Sequence, residues 1–198
     1  VKMPGERVDG VDLDIYQGEI LGIGGLAGQG KIGIANGIMG IYPATGDIIY
    51  EGETLELNDT YKILSKDIAF VSEDRKGFGL LLEESIALNI VITAMQIQDK
   101  FLRNLILCKL EAKKEIRDYA EQMIKDLDIR CVGPEQEVGR LSGGNQQKVC
   151  LARALTLNPK VLFVSEPTRG IDIGAKKLVL DLLVKLSREQ GMTVVITS

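Results

Sequence analysis

The chain has 198 residues, 45% of them apolar, which is enough to bury one sizeable core and points to one domain, or at most two. A formal charge of -4, with 26% of residues charged, carries none of the basic surplus that phosphate-backbone binding needs, so no nucleic-acid partner is expected. No apolar run reaches the ~18–20 residues that span a bilayer, and residues 1–9 are no signal peptide, so any link to a membrane would run through another chain.

In chain order, Val8, Val11, Leu13 and Ile15 alternate with polar residues and predict a strand. A short apolar strand over 19–24 follows and ends in glycines. Helical spacing of Ile32, Ile34, Ala35, Ile38 and Met39 predicts a helix from Lys31 to Met39, stopped by Gly40. Residues 46–52 read as a hairpin arm and 68–72 as a buried strand. Between about 85 and 130 the pattern turns helical, with Ile116, Ala120, Met123, Ile124 and Leu127 on one face, and is read as an inserted helical subdomain. After Gly133 and Pro134, Ser142 can cap a helix running to about Leu157. Residues 161–164 form an apolar strand. A helix over 175–189 carries Leu178, Val179, Leu182, Leu183 and Leu186 on one side, and a last strand covers 193–196. Strands alternating with helices imply an α/β fold: a mostly parallel sheet flanked by helices, with an N-terminal antiparallel β arm.

Cys108, Cys131 and Cys150 are odd in number and widely spaced, which argues against disulfides and zinc; histidine is absent, which removes Ser-His and Cys-His nucleophilic machinery. The stretch Gly25, Leu26, Ala27, Gly28, Gln29, Gly30, Lys31 fits G-x-x-x-x-G-K between a strand and a helix. Backbone amides there can wrap phosphates, the glycines allow close approach, and the helix start adds positive potential, with Lys31 reaching the terminal phosphates. Taken alone, the stretch also fits a glycine turn before a packed helix. Position 32 is Ile, and a hydrocarbon cannot ligate Mg²⁺ where a hydroxyl ordinarily would.

Leu141, Ser142, Gly143, Gly144, Asn145, Gln146 and Gln147 resemble the signature of the ATP-binding-cassette (ABC) family, upstream of an apolar strand that ends in Glu166, Pro167 and Thr168. The resemblance covers the whole chain and implies a P-loop NTPase-like fold that binds ATP. Its cofactor-binding residues would be Gly25 to Ile32, with Glu166 as the candidate catalytic base or water-orienting residue. Ser142, Gly143, Gly144 and Gln146 would be offered to nucleotide held by a second cassette. Glu73 stands at the family's loop glutamine, and Asp172 in its D-loop. Ser165 replaces the strand-end aspartate, and Ser198 falls where a histidine would follow Thr197. Together with Ile32, these changes predict weak or absent Mg²⁺ binding and a hydrolytically impaired site. No adenine-stacking aromatic stands near residues 1–4.

The segments 72–76, 141–147 and 166–176 resemble those of the second cassette in double-cassette ATPases that import ribose, galactose, xylose and related sugars. The implied partners are another cassette, earlier in a full-length chain of roughly twice this size, transmembrane permease subunits, and indirectly a periplasmic or extracellular sugar-binding protein. The implied location is the cytoplasmic face of the membrane, held there by the permease. A non-hydrolysing regulatory half and a soluble cassette protein unconnected with transport stay open as alternatives.

Overall fold

A computed structural model describes residues 1–26, 28–104, 109–171 and 173–198, and these fall into two compact units. The first comprises residues 1–73, 159–169 and 178–198, and the second residues 74–158 and 170–177.

In the first unit, β1 (Ile20–Ile23), β4 (Ile68–Val71), β7 (Val161–Ser165) and β8 (Thr193–Thr197) form a parallel sheet in the order β1-β8-β7-β4. β7 is buried along nearly its whole length, and so is β8, which suits continuous apolar runs such as Val161–Val164 and Val194–Ile196. α1 (Lys31–Ile38) follows β1 and packs against β7 and β8. Its Ile34, Ala35 and Ile38 join Met39, Phe163, Val195 and Ile68 in the core. β2 (Ile49–Tyr50) and β3 (Glu53–Thr54) make the antiparallel arm, and α2 (Thr60–Leu64), capped by the Asp59 carboxylate, leads into β4. All four sheet strands run the same way, so the chain segments that follow them emerge at one edge. That edge is where ligands meet open α/β sheets.

The strand predicted over Val8–Ile15 does not form. Val8 makes only an isolated bridge to Met3, and Leu13 and Tyr16 are exposed. Gly10 takes φ +69°, which breaks an extended run, and Val11 instead exchanges hydrogen bonds with Val1 in both directions. Alternation marks two faces, but a strand also needs a ladder partner, and none is offered among the described residues.

The second unit holds α3 (Ile86–Gln98), α4 (Lys113–Asp126) and α5 (Gly143–Leu155), with α3 packed on both others. Between α3 and α4, where helix alone was predicted, β5 (Leu102–Asn104) pairs with β6 (Lys109–Glu111). Asp99 ends α3 in the left-handed conformation, so the helix cannot continue into that hairpin. Asn89, fully buried in α3, satisfies the Leu81 amide and carbonyl and receives Arg153 Nη2 at 2.6 Å. Cys150 is buried in α5, and desolvation pushes its thiol up to about 12, so it is no nucleophile at neutral pH. α6 (Ile173–Gln190) buries Val179, Leu183 and Leu186, but Leu178, predicted on the same side, lies half-exposed.

Candidate functional site

The loop after β1 is built from backbone. Gly28 and Gly30 have φ of +79° and +83°, a region that side-chain-bearing residues avoid, so the two glycines are what allow this path. The amides of Gly28, Gly30 and Lys31 find no acceptor among the described residues. Gly25 donates to Ser198 O at 3.3 Å, and the Gln29 side chain accepts from Leu26 N–H at 3.2 Å, so the loop is tied at its entry and left open at its centre. The family reading places Ala27 in the loop, but that residue lies outside the described ones.

Lys31 Nζ donates to Gly25 O at 2.9 Å and pairs with Glu166 Oε1, also at 2.9 Å. The side chains are 12% and 20% exposed, so the pair is largely desolvated. Glu166 follows β7 in the left-handed region (φ +46°), and its N–H donates to Thr197 O at 2.8 Å. This is a costly conformation for a residue with a side chain, and it is held by the neighbouring strand end. Two sequence-predicted residues, Lys31 and Glu166, are thus brought into contact. Glu73, two residues beyond β4, is half-buried and within 3.4 Å of the Ser72 hydroxyl.

Arg7 was passed over in the sequence, since nothing in its local pattern marks it. Its Nη1 donates to Gly28 O at 3.2 Å, and the carbonyls of Glu6 and Arg7 lie against Gly30. A Cβ at Gly30 would stand 2.7 Å from Glu6 O and 2.9 Å from Arg7 O. Gly30→Ala is therefore expected to cost about 1–3 kcal/mol of stability, through both the clash and the positive φ, and to weaken anion binding. Denaturant unfolding and calorimetric titration check it; wild-type values for both would show that residues 4–7 do not brace the loop. The adjoining cleft, of about 180 Å³, is lined by Arg7, Asp9, Gly25, Gln29, Gly30 and Lys31. Ordinary small-molecule pockets start near ~300 Å³, so this cleft can enclose a phosphate chain but not a whole nucleotide.

Behind the loop, Ser165 Oγ and Thr197 Oγ1 are buried and without a hydrogen-bond partner among the described residues. The two residues are direct partners in the β7–β8 ladder and so share a face of the sheet. Mg²⁺ demands an oxygen shell that usually includes a carboxylate. Ile32 offers no oxygen and Ser165 a hydroxyl but no carboxylate, so neither of these two positions supplies a charged ligand for such an ion. Among the described residues no cluster of three or more His, Cys, Asp or Glu side chains could hold a metal.

The second constellation lies in the other unit, at the start of α5. Ser142 occupies the N-cap position but accepts no bond from the helix amides. The N–H groups of Gly143, Gly144 and Asn145 accordingly have no acceptor among the described residues. Ser142 is exposed and Gly143 half-buried, whereas Gly144 is buried. Gln146, expected at the surface offered to a partner's nucleotide, is instead 7% exposed and donates to Val138 O at 3.3 Å. Helical rotation turns it inward and leaves Asn145 outside. Arg75, in the 72–76 segment, donates through Nη1 to Gly143 O at 2.9 Å. A Cβ at Gly143 would stand 2.8 Å from Gly170 O. Asp172 lies outside the described residues.

Residues 8–169 match the family model described as ABC transporter. The chain belongs to that family. The cassette is 41% identical over 98% of its length to the ribose import ATP-binding protein RbsA 2 of Rhizobium meliloti. It is 38% identical over 97% of its length to the xylose import ATP-binding protein XylG of Pectobacterium atrosepticum. It spans 37% of each of those two relatives. Among solved structures it is similar to a dimeric post-hydrolysis state of the ATP-binding cassette MJ0796 bound to ADP and Pi. The TM-score is 0.77 at 27% identity, and the match covers 95% of this cassette and 78% of that one.

Proposed function

We propose that this cassette is an ATP-binding module of an importer for a simple sugar of the ribose or xylose class. In this reading Gly25 to Lys31 hold the nucleotide phosphates, and Ser142 and Gly143 complete the nucleotide site of a second cassette. Permease subunits hold the pair at the cytoplasmic face of the membrane and receive sugar from a binding protein outside. No helix among the described residues is long and apolar enough to cross a membrane, so the reading assigns passage of the sugar to the permease.

The observation that carries the reading is the phosphate loop itself. Its central amides are unspent among the described residues, and its lysine is largely desolvated and paired with the Glu166 carboxylate. The relatives' printed roles supply the sugar class. Ile32 and Ser165 support a cassette that binds nucleotide with little help from Mg²⁺ and hydrolyses it slowly or not at all, while its signature serves a competent partner. They also favour the second reading, a purely regulatory half.

Nucleotide affinity of this cassette is expected to change no more than about threefold when Mg²⁺ is removed, a difference of under ~1 kcal/mol. Titration with and without chelator measures it, and a strong metal requirement would sink the argument from Ile32 and Ser165. Single-turnover hydrolysis by the cassette alone separates the two readings, because measurable turnover removes the regulatory one. ATPase activity of the reconstituted full-length protein and permease, stimulated by binding protein loaded with ribose or xylose, tests the sugar class.

A further inference from the structure

The signature serine has an unusual neighbour. Arg130 N–H donates to Asn145 Oδ1 at 2.9 Å. A backbone amide can only donate, so this contact fixes which end of the Asn145 amide is oxygen. The other end, Nδ2, then faces Ser142 Oγ at 3.0 Å and donates to it. A hydroxyl that accepts there must send its own proton elsewhere, and Ser142 Oγ donates to no group among the described residues. The hydroxyl also spends nothing on capping, so its proton stays available beside the amides of Gly143 and Gly144, which are unspent among the described residues. Arg75 fixes the same peptide from behind by binding Gly143 O. An Asn three residues after the N-cap position stands where a capping box would place Glu or Gln, but here it meets Arg130 and Ser142 in place of the N-cap amide.

We propose that Asn145 is a positioning residue: it holds Ser142 as a hydrogen-bond donor toward an anionic oxygen, with the serine proton set before the ligand arrives. Resting on the reading above, that oxygen belongs to the terminal phosphate of nucleotide bound by the partner cassette. In this role Asn145 acts through the Ser142 hydroxyl. A carboxylate at this position keeps the acceptor for Arg130 N–H but cannot donate, so the serine proton would swing toward it and away from the phosphate.

The test uses the full-length protein and reads equilibrium ATP affinity at the hydrolysable site, with KM and kcat measured on the permease complex. Ser142→Ala is expected to weaken ATP about tenfold or more, the loss of one hydrogen bond to a charged group. Asn145→Ala is expected to weaken it ~3–10-fold in the wild-type background and by less than about twofold in the Ser142→Ala background, because the two act through one hydroxyl. Asn145→Asp, which preserves the Arg130 contact, is expected to be at least as harmful as Asn145→Ala, with the unfolding midpoint unchanged. If Ser142→Ala has no effect, the phosphate-binding reading of the signature fails, and this proposal with it. If Ser142→Ala weakens ATP but Asn145→Ala is silent, or costs as much with Ser142 absent as present, only the proposal fails. A near-normal Asn145→Asp would also overturn it, by assigning Asn145 to bracing the Arg130 loop.

Discussion

Lys31→Met is expected to lower nucleotide affinity by ~10²-fold or more and to lower stability in the absence of ligand by about 1–3 kcal/mol. The affinity loss follows from removing hydrogen bonds to phosphate oxygens that are worth ~1.5–3 kcal/mol each when one partner is charged. The stability loss has a different origin. Lys31 Nζ and Glu166 Oε1 meet at 2.9 Å, and their side chains are 12% and 20% exposed, so deleting the cation strands a mostly desolvated carboxylate. A fully buried pair broken in this way costs ~3–5 kcal/mol, and the residual exposure of Glu166 trims the figure.

The two effects separate in a double substitution. Adding Glu166→Gln to Lys31→Met should recover the stability but none of the binding. Glu166→Gln alone should tighten nucleotide several-fold, because phosphate no longer competes with the carboxylate for the lysine. Urea unfolding and calorimetric titration measure both quantities. If the second substitution does not restore stability, the pair has no role in the ligand-free cassette.

Ile32→Thr combined with Ser165→Asp is the second large effect. Together they supply the hydroxyl and the carboxylate that the proposed reading finds missing for Mg²⁺. With both, Mg²⁺ should raise nucleotide affinity at least ~10-fold, and single-turnover hydrolysis should rise by ~10²–10³, the usual worth of one charge-stabilising contact at a transition state. Ser165→Asp alone should destabilise the ligand-free protein, because Ser165 is wholly buried and no partner among the described residues could satisfy a carboxylate there. Mg²⁺ with nucleotide should then recover that loss by binding only the folded state. An unchanged response to the metal in the double variant would mean that Glu73 or another feature, and not these two positions, limits the chemistry.

Much of the scaffold could be read from local pattern. Apolar runs located β4, β7 and β8, helical spacing located α1 and α6, and the N-cap serine located α5, each to within a few residues, whereas α4 was read only as part of a helical stretch over about 85–130. The Val8–Ile15 pattern misled because alternation says nothing about whether a ladder partner exists, and the hairpin at Leu102–Glu111 was hidden among helix formers. Within the site, the phosphate loop was legible and Arg7 was not. Asn145 carried a usable signal, its spacing from Ser142, whereas the contact that gives it direction comes from Arg130, in the segment before the signature.

By itself the sequence determined the two amide-lined helix starts, since glycines and a helix N-terminus set backbone geometry within a few residues. Tertiary structure decided which charge faces Lys31, that Gln146 points inward while Asn145 stays outside, and that the Ser165 and Thr197 hydroxyls find no partner among the described residues. The difference is physical: amide direction is a local property of φ and ψ, but the partner of a side chain depends on which strand ends and loops the packed core brings together.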